Sequence, residues 1–70
     1  MTTEPILTPG DRVEIVFPGA WQGKRGTCLR WEEHPFRRAG CNIIWELDLE
    51  TGEKPWMHET MLRRVESVDG

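Results

Sequence analysis

The sequence lacks tyrosine, long apolar runs and any excess of positive charge. No stretch approaches the roughly 18 apolar residues that a membrane-spanning helix needs, and no apolar segment near Met1 resembles a secretion signal. We therefore expect a cytoplasmic protein, of the kind found in bacteria, that does not associate with membranes. The net charge of −3 argues against a dedicated DNA-backbone binder, because such proteins neutralise phosphates with a basic excess.

Cysteine is scarce, and neither a disulfide nor a metal site is expected. A hairpin that turns near Arg37 places Glu46 opposite Cys28 and Glu33 opposite Cys41. In that register the two thiols are not partners, because bridged Cα atoms must lie within about 7 Å. The potential soft metal ligands lack the closely spaced chelating pairs of zinc sites. They are Cys28, His34, Cys41 and His58.

The chain of 70 residues is long enough for one domain only. A domain of this size buries only about 60% of the surface that its unfolded chain exposes. Small cores are helped by disulfides, a metal or self-association. Because the sequence offers neither of the first two, we expect a homo-oligomer.

Alternation of apolar and polar residues predicts five short strands. They cover residues 11–17, 27–33, 41–49, 54–57 and 63–65. The third is the clearest, because Ile43, Trp45, Leu47 and Leu49 share one face, and we expect Trp45 in the core. Pro55 places the fourth strand at an edge or a bulge, since proline cannot donate to a ladder.

The segments between the strands contain turn signals. Residues 34–40 are predicted as a connection, residues 50–53 as a hairpin turn and residues 58–62 as one turn of 3₁₀ helix. This layout predicts an all-β, five-stranded SH3-like barrel with a short 3₁₀ turn before the last strand. The barrel covers residues 10–66, preceded by a flexible arm over residues 1–9 and followed by a tail over residues 67–70.

Several segments resemble known families. Residues 10–13 (Gly-Asp-Arg-Val), 23–27 and 62–65 are similar to the general SH3-like and KOW-like pattern. Residues 10–13 and 20–23 (Ala-Trp-Gln-Gly) also resemble the type II, plasmid-borne dihydrofolate reductases at the same separation. That resemblance implies an SH3-like barrel, a tetrameric ring with a shared pore, and NADPH and folate as ligands.

The active-site signature of that reductase family is replaced in this chain. Residues 54–57 read Lys-Pro-Trp-Met where the family has Val-Gln-Ile-Tyr, and the pore lysine of the family falls near Ile15. No other catalytic constellation is visible, since Glu32 and Glu33 alternate to opposite faces of a strand. We therefore expect a protein without catalytic activity.

Tryptophans and basic pairs are the candidate binding residues. Trp21 lies in a glycine-rich loop, where an exposed ring favours an interface or a ligand contact. Trp56 faces a subunit, a ligand or the 3₁₀ turn, and Trp31 is ambiguous between core and interface. The pairs Lys24–Arg25 and Arg37–Arg38 either form a positive rim or are solvated charges. The predicted site residues are Trp21, Gln22, Lys24, Arg25, Arg37, Arg38 and Trp56.

Three functions are compatible with these features. The first is a non-catalytic binding and assembly module whose partner is a protein, and it needs no cofactor. The second is a diverged enzyme of the type II reductase kind, or a relative of it that only binds NADPH or folate. The third is a KOW-like module that contacts RNA through its basic pairs.

Overall fold

The computed structural model describes residues 4–38 and 40–65, without the side chain of Arg38. The described chain forms five antiparallel strands in one sheet and one short 3₁₀ turn, which confirms the predicted all-β fold. The elements are β1 (Arg12–Ile15), β2 (Arg25–Arg38), β3 (Cys41–Leu49), β4 (Trp56–His58), the 3₁₀ turn (Glu59–Met61) and β5 (Leu62–Arg64). In the described part of the chain, no helix is long and apolar enough to cross a membrane.

The order of the strands forces the sheet to curve. The order is β4-β3-β2-β1-β5, so that β4 and β5 are the two edges. In a flat sheet these edges would lie about 19 Å apart, since neighbouring strands are spaced by about 4.8 Å. The link from His58 to Leu62 spans at most about 15 Å even when fully extended. The sheet therefore bends towards a barrel, although no hydrogen bonds between β4 and β5 close it.

The core lies on the concave side of this sheet. β3 contributes every second residue, and the alternation predicted for its apolar face is confirmed. Trp45 is fully buried at the centre, as expected, and Trp31 lies opposite it and packs against the core. The buried apolar residues are Leu7, Val13, Ile15, Cys28, Ile43, Trp45, Leu47, Leu49 and Met57.

A buried carboxylate ties the start of the described chain to this core. Oε2 of Glu59 accepts hydrogen bonds from the N–H groups of Ile6 and Leu7 at 2.9 and 3.0 Å. The same oxygen accepts from Nε1 of Trp45 at 3.0 Å. Leu7 belongs to the segment expected to be a flexible arm, yet its side chain is only 5% exposed and is part of the core.

The largest difference from the predicted elements is in β2. The prediction of a connection over residues 34–40 was wrong, because β2 continues to Arg38. Glu33 pairs with Ile43 and Arg38 pairs with Cys41, which leaves residues 34–37, here called the bulge, opposite Asn42 alone. Pro35 is tolerated because residues of a bulge leave the ladder and need no donor for it.

The bulge also changes the predicted register of this hairpin. Cys28 lies opposite Leu47 and Cys41 lies opposite Arg38, so the predicted partners Glu46 and Glu33 were wrong. The extra residues of β2 shift every later pair, which alternation alone does not indicate. Both cysteines are free thiols. The predicted tail, residues 67–70, lies outside the described residues.

Candidate functional site

The two edges of the sheet differ in how they are protected. β5 carries charges that are paired across to β1 and the turn before it. Arg63 donates to Oε1 of Glu14 at 2.7 Å, and Arg64 donates to Oδ2 of Asp11 at 3.0 Å. Charged side chains along an edge discourage pairing with another chain. β4 contains no acidic or permanently charged residue, so it is the edge more open to pairing.

Asp11 also shows how the β5 edge is fixed. The N–H of Thr8 donates to its carboxylate at 2.9 Å. This bond is the main cause that lowers the pKa of Asp11, and Arg64 lowers it further. The carboxylate therefore stays charged at neutral pH, and the ion pair with Arg64 is maintained.

β4 has backbone groups that point away from the sheet. Leu47 donates to the carbonyl of Pro55, so the backbone of Pro55 and Met57 faces β3. Backbone groups alternate in direction along a strand. The N–H and carbonyl of Trp56 and the N–H of His58 therefore point to the open edge. The earlier prediction that Pro55 marks an edge strand agrees with this position.

The convex surface of β2, β3 and β4 has aromatic and charged side chains next to this edge. One row runs across the strands from Trp56 through Glu46 to Arg30. The guanidinium of Arg30 lies 5.2 Å from the centroid of the Trp56 ring and donates to Oε1 of Glu46 at 2.9 Å. Both contacts fix the ring, which is 37% exposed. We call this surface the outer face: Arg30, Glu32, Ile44, Glu46, Trp56 and His58.

A second aromatic side chain extends from the same surface. Phe36, in the bulge, is 73% exposed, and its ring lies 5.6 Å from that of His34. The rings of His34 and His58 are 5.3 Å apart and meet edge-on. Trp56 and Phe36 are therefore two exposed aromatic groups with two imidazoles between them.

Three of the predicted site residues line a separate groove. Gln22, Lys24 and Arg25 form one wall, and Glu50 and Thr51 from the β3–β4 turn form the other. The groove is open to solvent and has a volume of about 370 Å³. Arg25 is 4.0 Å from Glu14, whereas Lys24 has no ion-pair partner in the described part of the chain. Trp21 precedes this wall, and its ring is half-buried against the core.

The two basic pairs are not brought together. Arg25 begins β2, and Arg37 is the last residue but one of the same strand, so the two pairs lie towards opposite ends of β2. Arg37 donates to the carbonyl of Gly40, and the side chain of Arg38 lies outside the described residues. A positive rim that combines both pairs stays a prediction.

Sequence reasoning missed Arg30, Glu46, Phe36 and His58 as parts of a surface. The first two occupy polar positions of strands that alternate as expected, and their contact with Trp56 depends on the register of three strands. One signal was present: Trp56 follows Pro55, which indicates an aromatic residue at an edge.

Comparisons with family models, curated proteins and solved structures found no match for this chain. The resemblance to SH3-like proteins and to type II reductases therefore stays a prediction. In residues 4–38 and 40–65, no three histidine, cysteine, aspartate or glutamate side chains converge in a way that could hold a metal ion.

Proposed function

We propose that this protein is a non-catalytic binding module that accepts an extended segment of another protein alongside β4. One observation carries the proposal: the edge strand without charge protection is also the strand that presents the exposed ring of Trp56. Extended peptides add to open sheet edges through main-chain hydrogen bonds, and pockets beside the edge select their side chains.

The chemistry of the surface indicates what such a segment contains. Trp56 and Phe36 offer apolar area, and Arg30 and Glu46 already satisfy each other in an ion pair. A partner that introduced a charge over Trp56 would desolvate it without a free counter-charge. We therefore expect an apolar or aromatic residue opposite Trp56, flanked by uncharged residues that keep the segment extended.

Binding alone is proposed because the titratable groups do not converge on a pocket. General acid–base catalysis needs a donor and an acceptor within hydrogen-bond reach of one reacting group. The groove beside Lys24 contains a single carboxylate, that of Glu50. The edge of β4 presents backbone groups, which bind and orient a peptide.

Selection from a random dodecapeptide display library, followed by isothermal titration with the selected peptides, tests the proposal. Trp56→Ala should weaken binding at least tenfold, since aromatic anchors carry much of the energy of such contacts. Ile6→Ala removes an apolar side chain that is 79% exposed elsewhere, and it should leave binding unchanged.

A pair of variants at His58 isolates the backbone contribution. His58 has φ −63° and ψ 143°, which proline adopts without strain. His58→Pro and His58→Ala both remove the imidazole, but only His58→Pro removes the N–H that points to the open edge. We expect His58→Pro to bind more weakly than His58→Ala. Equal affinity of His58→Pro and His58→Ala would contradict the β4 site. An affinity of Trp56→Ala that equals that of the natural protein would contradict it as well.

The Trp56→Ala variant also tests whether the protein self-associates through β4. The predicted homo-oligomer is measured by light scattering at low micromolar concentration. If the natural protein is a dimer and Trp56→Ala is a monomer, a second copy of the chain occupies β4, and the proposal of a different protein partner is wrong.

A nucleotide binder is the second candidate, and one observation favours it. Gln22, Lys24 and Arg25 line one groove, and Gln22 belongs to the segment that resembles the type II reductases. Titration with NADPH should then quench the tryptophan fluorescence of the protein, and the double variant Lys24→Ala, Arg25→Ala should abolish the effect. Absence of quenching at millimolar NADPH would remove this candidate.

A further inference from the structure

The bulge crosses over β3 and contacts β4. The carbonyl oxygen of Phe36 lies 3.3 Å from Nε2 of His58, although β3 separates β2 from β4 in the sheet. The N–H of Phe36 donates to Nδ1 of His34 at 3.1 Å. Two imidazoles therefore hold both backbone polar groups of the same residue.

We propose that His34 and His58 form a pH-sensitive latch, which holds the bulge against the sheet at neutral pH and releases it in mild acid. Nδ1 of His34 accepts from Phe36 only while that nitrogen carries no proton. A proton there places two donors against each other and leaves the Phe36 N–H unpaired. Imidazole is the side chain whose charge ordinarily changes between pH 5 and 8.

The two rings add to this effect because they are neighbours. Their centroids are 5.3 Å apart, so two imidazolium charges would repel each other across the bulge. In the tautomer that carries the proton on Nε2, neutral His58 can donate to the Phe36 carbonyl, as the charged ring also can, whereas His34 loses its acceptor when Nδ1 is protonated. His34 is therefore the residue that senses the proton, and His58 contributes the repulsion.

Charged residues of both signs neighbour the latch along β2. Glu32 and Glu33 precede His34, and Arg30 pairs with Glu32 and Glu46. Arg37 follows Phe36 and donates to the Gly40 carbonyl. On β3, the uncharged Ile44 lies opposite His58, and the carboxylate of Glu46 lies opposite Trp56, where it pairs with Arg30. Glu59 follows His58, and its carboxylate accepts from the indole of Trp45 in the core.

The closed bulge has a cost that favours opening. Asn42 is the residue of β3 opposite the bulge, and its Oδ1 is buried without a hydrogen-bond partner. A buried unpaired acceptor is unfavourable, and water can reach it once the bulge moves away. Exposure of this oxygen to water would offset part of the cost of opening the bulge.

Amide exchange measured by NMR tests the latch without any peptide, so its failure and that of the β4 site are distinguishable. The observable is the protection of the Phe36 N–H relative to its intrinsic exchange rate at pH 7.5 and pH 5.0. We expect protection to fall roughly fivefold or more in acid, as for loss of one hydrogen bond. The Cys28 N–H, which donates to the Asp11 carbonyl at 2.8 Å, serves as the reference and should not change.

Three variants make the test specific. His34→Asn places an amide oxygen where Nδ1 lies and cannot gain a proton, so protection should persist at pH 5.0. His34→Ala should lose protection at both pH values. His58→Gln keeps a donor for the Phe36 carbonyl and should reduce the acid effect. Unchanged protection in the natural protein, equal acid loss in His34→Asn, or parallel loss at Cys28 would each overturn the latch.

Discussion

At the scale of single residues, Glu59 combines functions that are normally divided among several side chains. One carboxylate oxygen accepts from two backbone N–H groups of the first described segment and from the indole of the core tryptophan, and the residue is only 7% exposed. Hydrogen bonds to a charged acceptor are stronger than neutral ones. Glu59 is thus the connection between the core and the segment before β1.

Replacement of Glu59 by glutamine should lower the free energy of unfolding by about 2 kcal/mol, as typical for charged hydrogen bonds in a buried site. The amide oxygen can take the place of Oε2, but it carries no charge, so its hydrogen bonds are weaker, and the NH₂ group must find acceptors. Urea denaturation measures the change. Glu50→Gln, at an exposed position, is the control and should alter stability by less than 0.5 kcal/mol. An equal effect of both variants would contradict this role of Glu59.

The buried thiol of Cys28 makes the stability of the protein depend on pH in the alkaline range. Burial, the main cause, raises the pKa of the Cys28 thiol from about 9 to about 12. Between these values the unfolded chain releases a proton that the folded chain retains, so stability is complete below pH 9 and falls as pH rises towards 12. At pH 10 the loss should be on the order of 1 kcal/mol. Denaturation at pH 7.5 and 10 measures it: Cys28→Ala should reduce the pH dependence, and Cys41→Ala should keep it.

At the scale of elements, the sequence predicts a strand well when nearby residues determine it, and poorly when distant residues do. β3 was predicted with its correct bounds, because its alternation lies within nine residues. The bulge was not predicted, because Pro35 and Gly40 are typical of loops. The pairing of Glu33 with Ile43 depends on how β2 and β3 meet in the folded structure. The role of Glu59 could not be predicted, because Leu7 is 52 residues away. Trp56 was predicted as a site residue, but its contact with Arg30 required the register.

Gly26, the second residue of β2, occupies a position without room for a side chain. It lies between β1 and β3, opposite Val13 and Leu49. A Cβ at this position would be 2.8 Å from the carbonyl oxygen of Asp48 and from Cδ2 of Leu49. Gly26→Ala should therefore cost about 1–3 kcal/mol, because the backbone of β3 must move. Thr27→Ala, at the next position, should cost less than 1 kcal/mol in the same denaturation assay. A larger loss of stability in Thr27→Ala than in Gly26→Ala would contradict a close approach of β2 and β3 at Gly26.

At the scale of the whole molecule, residues 4–9 either belong to the folded domain or merely precede the five-stranded sheet. Leu7 and Ile6 are neighbours in sequence with opposite environments, at 5% and 79% exposure. Among the described residues, a core of nine buried apolar side chains leaves little margin, because small domains are only marginally stable. If Leu7 contributes as its burial indicates, residues 4–9 are part of the folded domain.

Leu7→Ala and Ile6→Ala decide between these descriptions. Removal of a buried leucine side chain typically costs 2–5 kcal/mol, so Leu7→Ala should lower the midpoint of urea denaturation markedly or unfold the protein. Ile6→Ala should change stability by less than 0.5 kcal/mol. Leu7→Met, which preserves volume, should retain most of the stability and shows that folding is still possible. Equal and small losses of stability in Leu7→Ala and Ile6→Ala would mean that the sheet is stable without residues 4–9. The hydrogen bonds from Ile6 and Leu7 to Glu59 would then be dispensable.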